Sequence, residues 1–114
     1  MRLSTKEVTS ITAAFKICLG NMDYQLYLFG SRTDDSKKGG DIDLLVVVPL
    51  SEKQNVVNMK SKIRNEIFKN IPEQKIDITA ATAAELKTDE FLASVFEHAI
   101  LFCEMTHSQS RDSD

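Results

Sequence analysis

Three acidic residues and one glycine–serine turn carry the chemistry available to this chain. Phe29-Gly30-Ser31-Arg32 closes an apolar run, and Asp41-Ile42-Asp43 opens another nine residues after Arg32. A third acid, Asp77, stands between Ile76 and Ile78 in a strand-like stretch, Lys75-Ile76-Asp77-Ile78-Thr79. Residues i and i+2 of a strand project to one face, about 7 Å apart. The Asp41 and Asp43 carboxylates can therefore lean toward a shared hard cation. Mg²⁺ takes oxygen ligands, usually one or two carboxylates plus the phosphates of a substrate. A glycine lets backbone approach closely and adopt unusual dihedrals. Amides at such a turn hold an anion, to which Ser31 adds a hydroxyl and Arg32 a charge-assisted donor. No Gly-Lys-Ser/Thr follows, so this is not a P-loop.

An Asp-x-Asp pair means little without its setting. The chain spells it again at Asp112-Ser113-Asp114, in a polar tail. The first pair differs because it opens the strongly apolar Leu44-Leu45-Val46-Val47-Val48, where two acids repel each other and resist burial. Asp77 has no partner nearby in sequence. It reads either as an edge-strand residue facing solvent or, if its strand lies beside the double-Asp strand, as a third carboxylate about 4.8 Å away.

The elements that must position these groups follow from periodicity. A first helix is expected over Thr5 to Leu19, with Ser4 and Glu7 at capping-box spacing and Val8, Ile11, Phe15 and Cys18 repeating at helical period. Strands are expected at Tyr24 to Phe29, Asp41 to Val48 and Lys75 to Thr79. The polar segment from Gly30 to Gly40 reads as a turn. One helix is expected from Glu52 to Asn70, opened by a Ser51–Gln54 capping box, with Val56, Met59, Ile63 and Ile67 as its buried stripe. Thr82 and Glu85 cap a short helix. A longer helix then carries Leu92, Val95, Phe96, Ala99, Ile100 and Cys103. The order is that of an α+β domain over residues 1–106, one thin sheet with helices against it, followed by a disordered polar tail over 107–114.

The composition sets limits. The chain has 114 residues, a net charge of −3 and no apolar run of membrane-spanning length. A broad nucleic-acid surface would normally be basic, so direct nucleic-acid binding is not expected. Lys53, Lys60, Lys62, Arg64 and Lys69 cluster in one segment, either as a solvated helix face or as a docking face for an acidic partner or an RNA. Cys18 and Cys103 lie far apart and show no zinc spacing with His98 and His107. They read as small core residues of a cytoplasmic protein. Phe68, Phe91 and Phe102 are more aromatic helix surface than one thin sheet should cover, which suggests an exposed patch and a partner.

Leu28-Phe29-Gly30-Ser31-Arg32 followed by Asp41-Ile42-Asp43-Leu44-Leu45-Val46 resembles the signature of the minimal nucleotidyltransferases, small members of the DNA polymerase β superfamily. The resemblance spans roughly Thr5 to Glu104. It implies a mixed sheet of order 1-2-3 with the double-Asp strand in the middle. It implies that Gly30, Ser31 and Arg32 bind nucleotide. It also implies that Asp41, Asp43 and Asp77 are the catalytic carboxylates and the ligands of two Mg²⁺ ions. The Arg-Ala-Arg-Gly-like continuation of many members is missing here, which leaves Ser31 and Arg32 as the loop's contacts to the triphosphate. The activity implied is transfer of a nucleoside monophosphate, foremost AMP from ATP, to an acceptor hydroxyl. Such small members are often paired as antitoxins with HEPN-type toxins, and in some cases add AMP to a toxin tyrosine. A partner protein is therefore the expected acceptor. The alternatives are a non-catalytic antitoxin or binding module with a relic nucleotide site, and a sugar-nucleotide transferase, which the short chain disfavours.

Overall fold

The computed structural model describes residues 3–30, 41–72 and 74–106. Helix α1 (Thr5–Leu19) starts where the sequence places its cap. The Glu7 amide donates to Ser4 Oγ at 3.1 Å and the Ser4 amide to Glu7 Oε1 at 2.8 Å, which satisfies two of the helix's orphan amides. Gly20, at φ 56°, ends it. Strand β1 (Tyr24–Phe29) alternates strictly: Tyr24, Leu26 and Leu28 are buried, while Gln25, Tyr27 and Phe29 face the other side.

Strand β2 (Ile42–Val47) is buried along its length except at Asp43. Strand β3 (Ile76–Ala81) repeats that exception, with Asp77 exposed between buried Ile76 and Ile78. The sheet order is β3-β2-β1-β4, with β2 antiparallel to β1 and parallel to β3. The double-Asp strand thus lies between the other two, as the resemblance implies.

Three expectations are corrected. The segment expected as one helix is two, α2 (Leu50–Asn58) and α3 (Lys60–Phe68), separated at Met59 with φ −98° and ψ 1°. The break follows a run of poor helix formers, Asn55-Val56-Val57-Asn58. The buried stripe of Val56, Ile63 and Ile67 continues across it. Ser51 does not cap: the helix begins at Leu50 after Pro49, with no side-chain cap. Finally, the last helix does not reach Cys103. After α4 (Ala83–Thr88), capped by Thr82 and Glu85, α5 (Glu90–Glu97) stops at His98, and Ile100–Met105 forms β4. A short apolar run such as Ile100-Leu101-Phe102-Cys103 suits either state by periodicity. The open edge of β1 decides it, because its amides and carbonyls need a ladder partner. β4 supplies one antiparallel, with an irregularity in register between Leu26 and Tyr27.

The sheet has two unequal faces. Ile11, Phe15, Leu26, Leu28, Ile42, Leu44, Val46, Ile63, Ile67 and Ile76 make the main core under α1 and α3. On the other face Leu45, Val47 and Ala81 meet Leu86 and Leu92 from α4 and α5, flanked by Tyr27, Phe29, Val95 and Phe96. That smaller layer leaves the start of β2 and β3 open.

Candidate active site

Strand register alone brings the acids together. Phe29 on β1 is opposite Asp43 on β2, and Asp43 is opposite Asp77 on β3. Their even-numbered neighbours Ile42, Leu44, Ile76 and Ile78 belong to the main core. By alternation, Asp43 and Asp77 project to the opposite face, the one that carries α4 and α5. One row earlier, the Ile42 amide donates to the Lys75 carbonyl at 3.0 Å, which fixes Lys75 beside Asp41. Lys75 Nζ lies 3.7 Å from Asp41 Oδ2, and both side chains are well exposed. The result is a two-by-two array at the mouth of the sheet: Asp41, just before β2, and Asp43 on it, facing Lys75, just before β3, and Asp77 on it.

Asp43 is the most constrained member. Burial raises its pKa above the ordinary carboxylate value. The charges of Asp77 and Asp41 and a side-chain hydrogen bond with Asp77 push the same way, while Lys75 alone pulls it down. Gly30, the residue after β1, has φ 79°. A Cβ there would collide with Asp43 Oδ2. The glycine is therefore required twice, by its backbone conformation and by the carboxylate lying over it. The sequence suggested the glycine for phosphate approach; its part in seating Asp43 is visible only in three dimensions.

The array brings Asp43 and Asp77 together and leaves Asp41 turned to Lys75. Among the described residues, no three His, Cys, Asp or Glu side chains are grouped closely enough to hold a metal ion. Ser31 and Arg32 lie outside the described residues. Lys75 escaped the sequence reading. Its signal was its spacing of two residues before Asp77, which puts both on one face. A separate cleft of about 580 Å³ sits at the other end of the strands, lined by Tyr24, Val48, Leu50, Thr82 and Met105 among others, and includes none of Asp41, Asp43 and Asp77.

A family model described as a nucleotidyltransferase domain matches residues 13–102. The chain belongs to that family. The match takes in Gly30, Asp41, Asp43 and Asp77. Membership brings with it nucleotidyl transfer as the general chemistry and a nucleoside triphosphate as the substrate class. No curated protein matches the chain significantly. Among solved structures, a candidate nucleotidyltransferase from Sulfolobus solfataricus is similar, with 19% identity, a TM-score of 0.49, and coverage of 91% of this chain and 92% of that one. No helix among the described residues is long and apolar enough to cross a membrane.

The donor set suits a hard divalent cation. Asp43 and Asp77 already meet the usual count of one or two carboxylates. Burial, and then the neighbouring charges of Asp77 and Asp41, raise Asp43's pKa, and a bound cation would offset both. The pair would be the first to take up such an ion, with Asp41 reaching it by releasing Lys75.

Proposed function

We propose that this nucleotidyltransferase uses Mg²⁺ and moves AMP from ATP to a hydroxyl of a partner protein. The observation that carries the reading is the Asp43–Asp77 pair lying beside Gly30 within the matched family domain. Asp41 and Asp43 hold the nucleotide end of the site, and Asp77 orients the acceptor hydroxyl and takes its proton as the oxygen attacks the α-phosphorus. Pyrophosphate leaves. Gly30, Ser31 and Arg32 bind the departing phosphates. Bound Mg²⁺ supplies the positive charge that offsets attacking and leaving oxygens in an in-line displacement. A HEPN-type toxin, with this chain as its antitoxin in the cytoplasm, is the partner that the family resemblance favours.

The test uses the purified chain, α-labelled ATP with Mg²⁺, and the product of the neighbouring gene. Label should pass to the partner with the wild-type chain and not with Asp43→Asn. Neutralisation of the partner without any label would instead establish the non-catalytic binding module.

A further inference from the structure

The two-by-two array contains one cation, and its position has a consequence for the nucleotide. Lys75 is fixed at its backbone by the Ile42 hydrogen bond, and its ammonium is spent on Asp41. It shares a face with Asp77 and is one strand spacing from β2. If Asp41 joins Asp43 at a metal, it can no longer serve Lys75. The ammonium, well exposed and already acting on Asp43, is then free to turn to another anion at the same mouth of the sheet. The anion delivered to that place is the polyphosphate of the substrate.

We propose that Lys75 is an exchangeable counter-ion, neutralising Asp41 in the nucleotide-free chain and passing to a phosphate oxygen when nucleotide and metal arrive. This rests on the reading above. In the free chain Lys75 competes with the metal for Asp41; in the loaded chain it adds a bond to substrate. The two roles have opposite signs. The competing pair is solvent-exposed at 3.7 Å, and exposed pairs are weak, so the competition alters metal affinity by about two- to fivefold. Lysine acts here as a point charge with rotatable donors, which suits a group that must change partners.

The experiment measures binding to the full chain by two probes: Mn²⁺ alone, and inorganic tripolyphosphate with saturating Mg²⁺. Tripolyphosphate isolates the phosphate contact from base preference. Lys75→Met should bind Mn²⁺ alone about two- to fivefold more tightly. It should bind the Mg²⁺–tripolyphosphate several-fold more weakly, with a shallower dependence on salt. Lys75→Arg should restore the triphosphate affinity and its salt dependence. A change of the same sign for both probes, or of neither, would overturn the exchange while leaving the active site standing. A wild-type chain that takes up neither probe would remove the nucleotidyltransfer reading itself. Matching melting temperatures of wild type and variants without ligand exclude misfolding as the cause.

Discussion

At the scale of single residues, the site sets Asp43 against stability. Its folded-state carboxyl is harder to ionise than an ordinary one, so ionising it opposes folding. The penalty is absent below the ordinary carboxylate value, grows through the window up to the raised folded value, and is fully present at neutral pH. Asp43→Asn removes the charge at similar volume. The metal-free variant is expected to melt higher than the wild type at pH 7, with the difference narrowing as pH falls toward 3.8. It should also lose most of the stabilisation that Mg²⁺ and ATP give the wild type, since binding to the native state supplies that gain. Thermal melts with and without Mg²⁺–ATP check both, and an unaltered ligand response in the variant would refute the metal assignment. Gly30→Ala should behave differently. A positive φ costs a non-glycine residue about 1–2 kcal/mol, and the added methyl displaces Asp43 Oδ2. Both stability and Mg²⁺–ATP binding are expected to fall, as chemical denaturation and calorimetry would show.

At the scale of elements, the placing of Asp43 beside Asp77 was legible because strands obey a period of two. Asp41-Ile42-Asp43 and Ile76-Asp77-Ile78 state in sequence which side chains share a face, and the parallel register of β2 and β3 completes the pairing. Local caps were legible where a side chain and an amide meet within three residues, as at Ser4–Glu7 and Thr82–Glu85. The Ser51–Gln54 spacing misled because Pro49 already turns the chain into α2 two residues earlier. β4 could not be read from its own residues, since its state is set by the vacant edge of β1, a partner more than seventy residues away in sequence. The Asp41–Lys75 contact is likewise a product of register between strands. The α4 cap gives a prediction of its own. Thr82 is buried, accepts from the Glu85 amide, and sits where the chain leaves β3. Thr82→Ala should cost about 1 kcal/mol of stability by denaturant titration. The Lys53–Glu85 bond at 2.6 Å holds the Glu85 carboxyl below its ordinary value. A lowered folded value means that this contribution is present above the ordinary 4.5 and is lost as pH falls through the folded value. Glu85→Gln keeps a capping side chain but removes that dependence, so its stability should change less than the wild type's as pH falls below 4.5.

At the scale of the whole molecule, the two faces of the sheet divide the work. One is closed by α1 and α3 over most of the apolar core. The other carries the acids and is roofed only in part by α4 and α5. The sequence implied more aromatic surface than one sheet can cover, and this holds for two of the three residues concerned. Phe91 is 67% exposed and Phe68 38%, whereas Phe102 packs half-buried against the main core because its segment is a strand. Phe91 is the more informative, since it lies in the first turn of α5, a helix that packs on the same sheet face to which Asp43 and Asp77 project. An acceptor protein that presents a hydroxyl to Asp77 must approach that face, and an exposed phenyl ring on a helix that covers part of the same face offers apolar area that a partner can bury. Phe91 makes no contribution to either core cluster, so its removal should leave the fold intact, within about 0.5 kcal/mol. Phe91→Ser is therefore expected to keep its melting temperature and its affinity for Mg²⁺–ATP while transferring label to the partner more slowly, through a higher KM for the partner rather than a lower kcat. Label transfer measured over a range of partner concentrations separates the two parameters. Unchanged KM would place the acceptor elsewhere on the molecule, and a loss of Mg²⁺–ATP affinity would mean that Phe91 belongs to the nucleotide site instead.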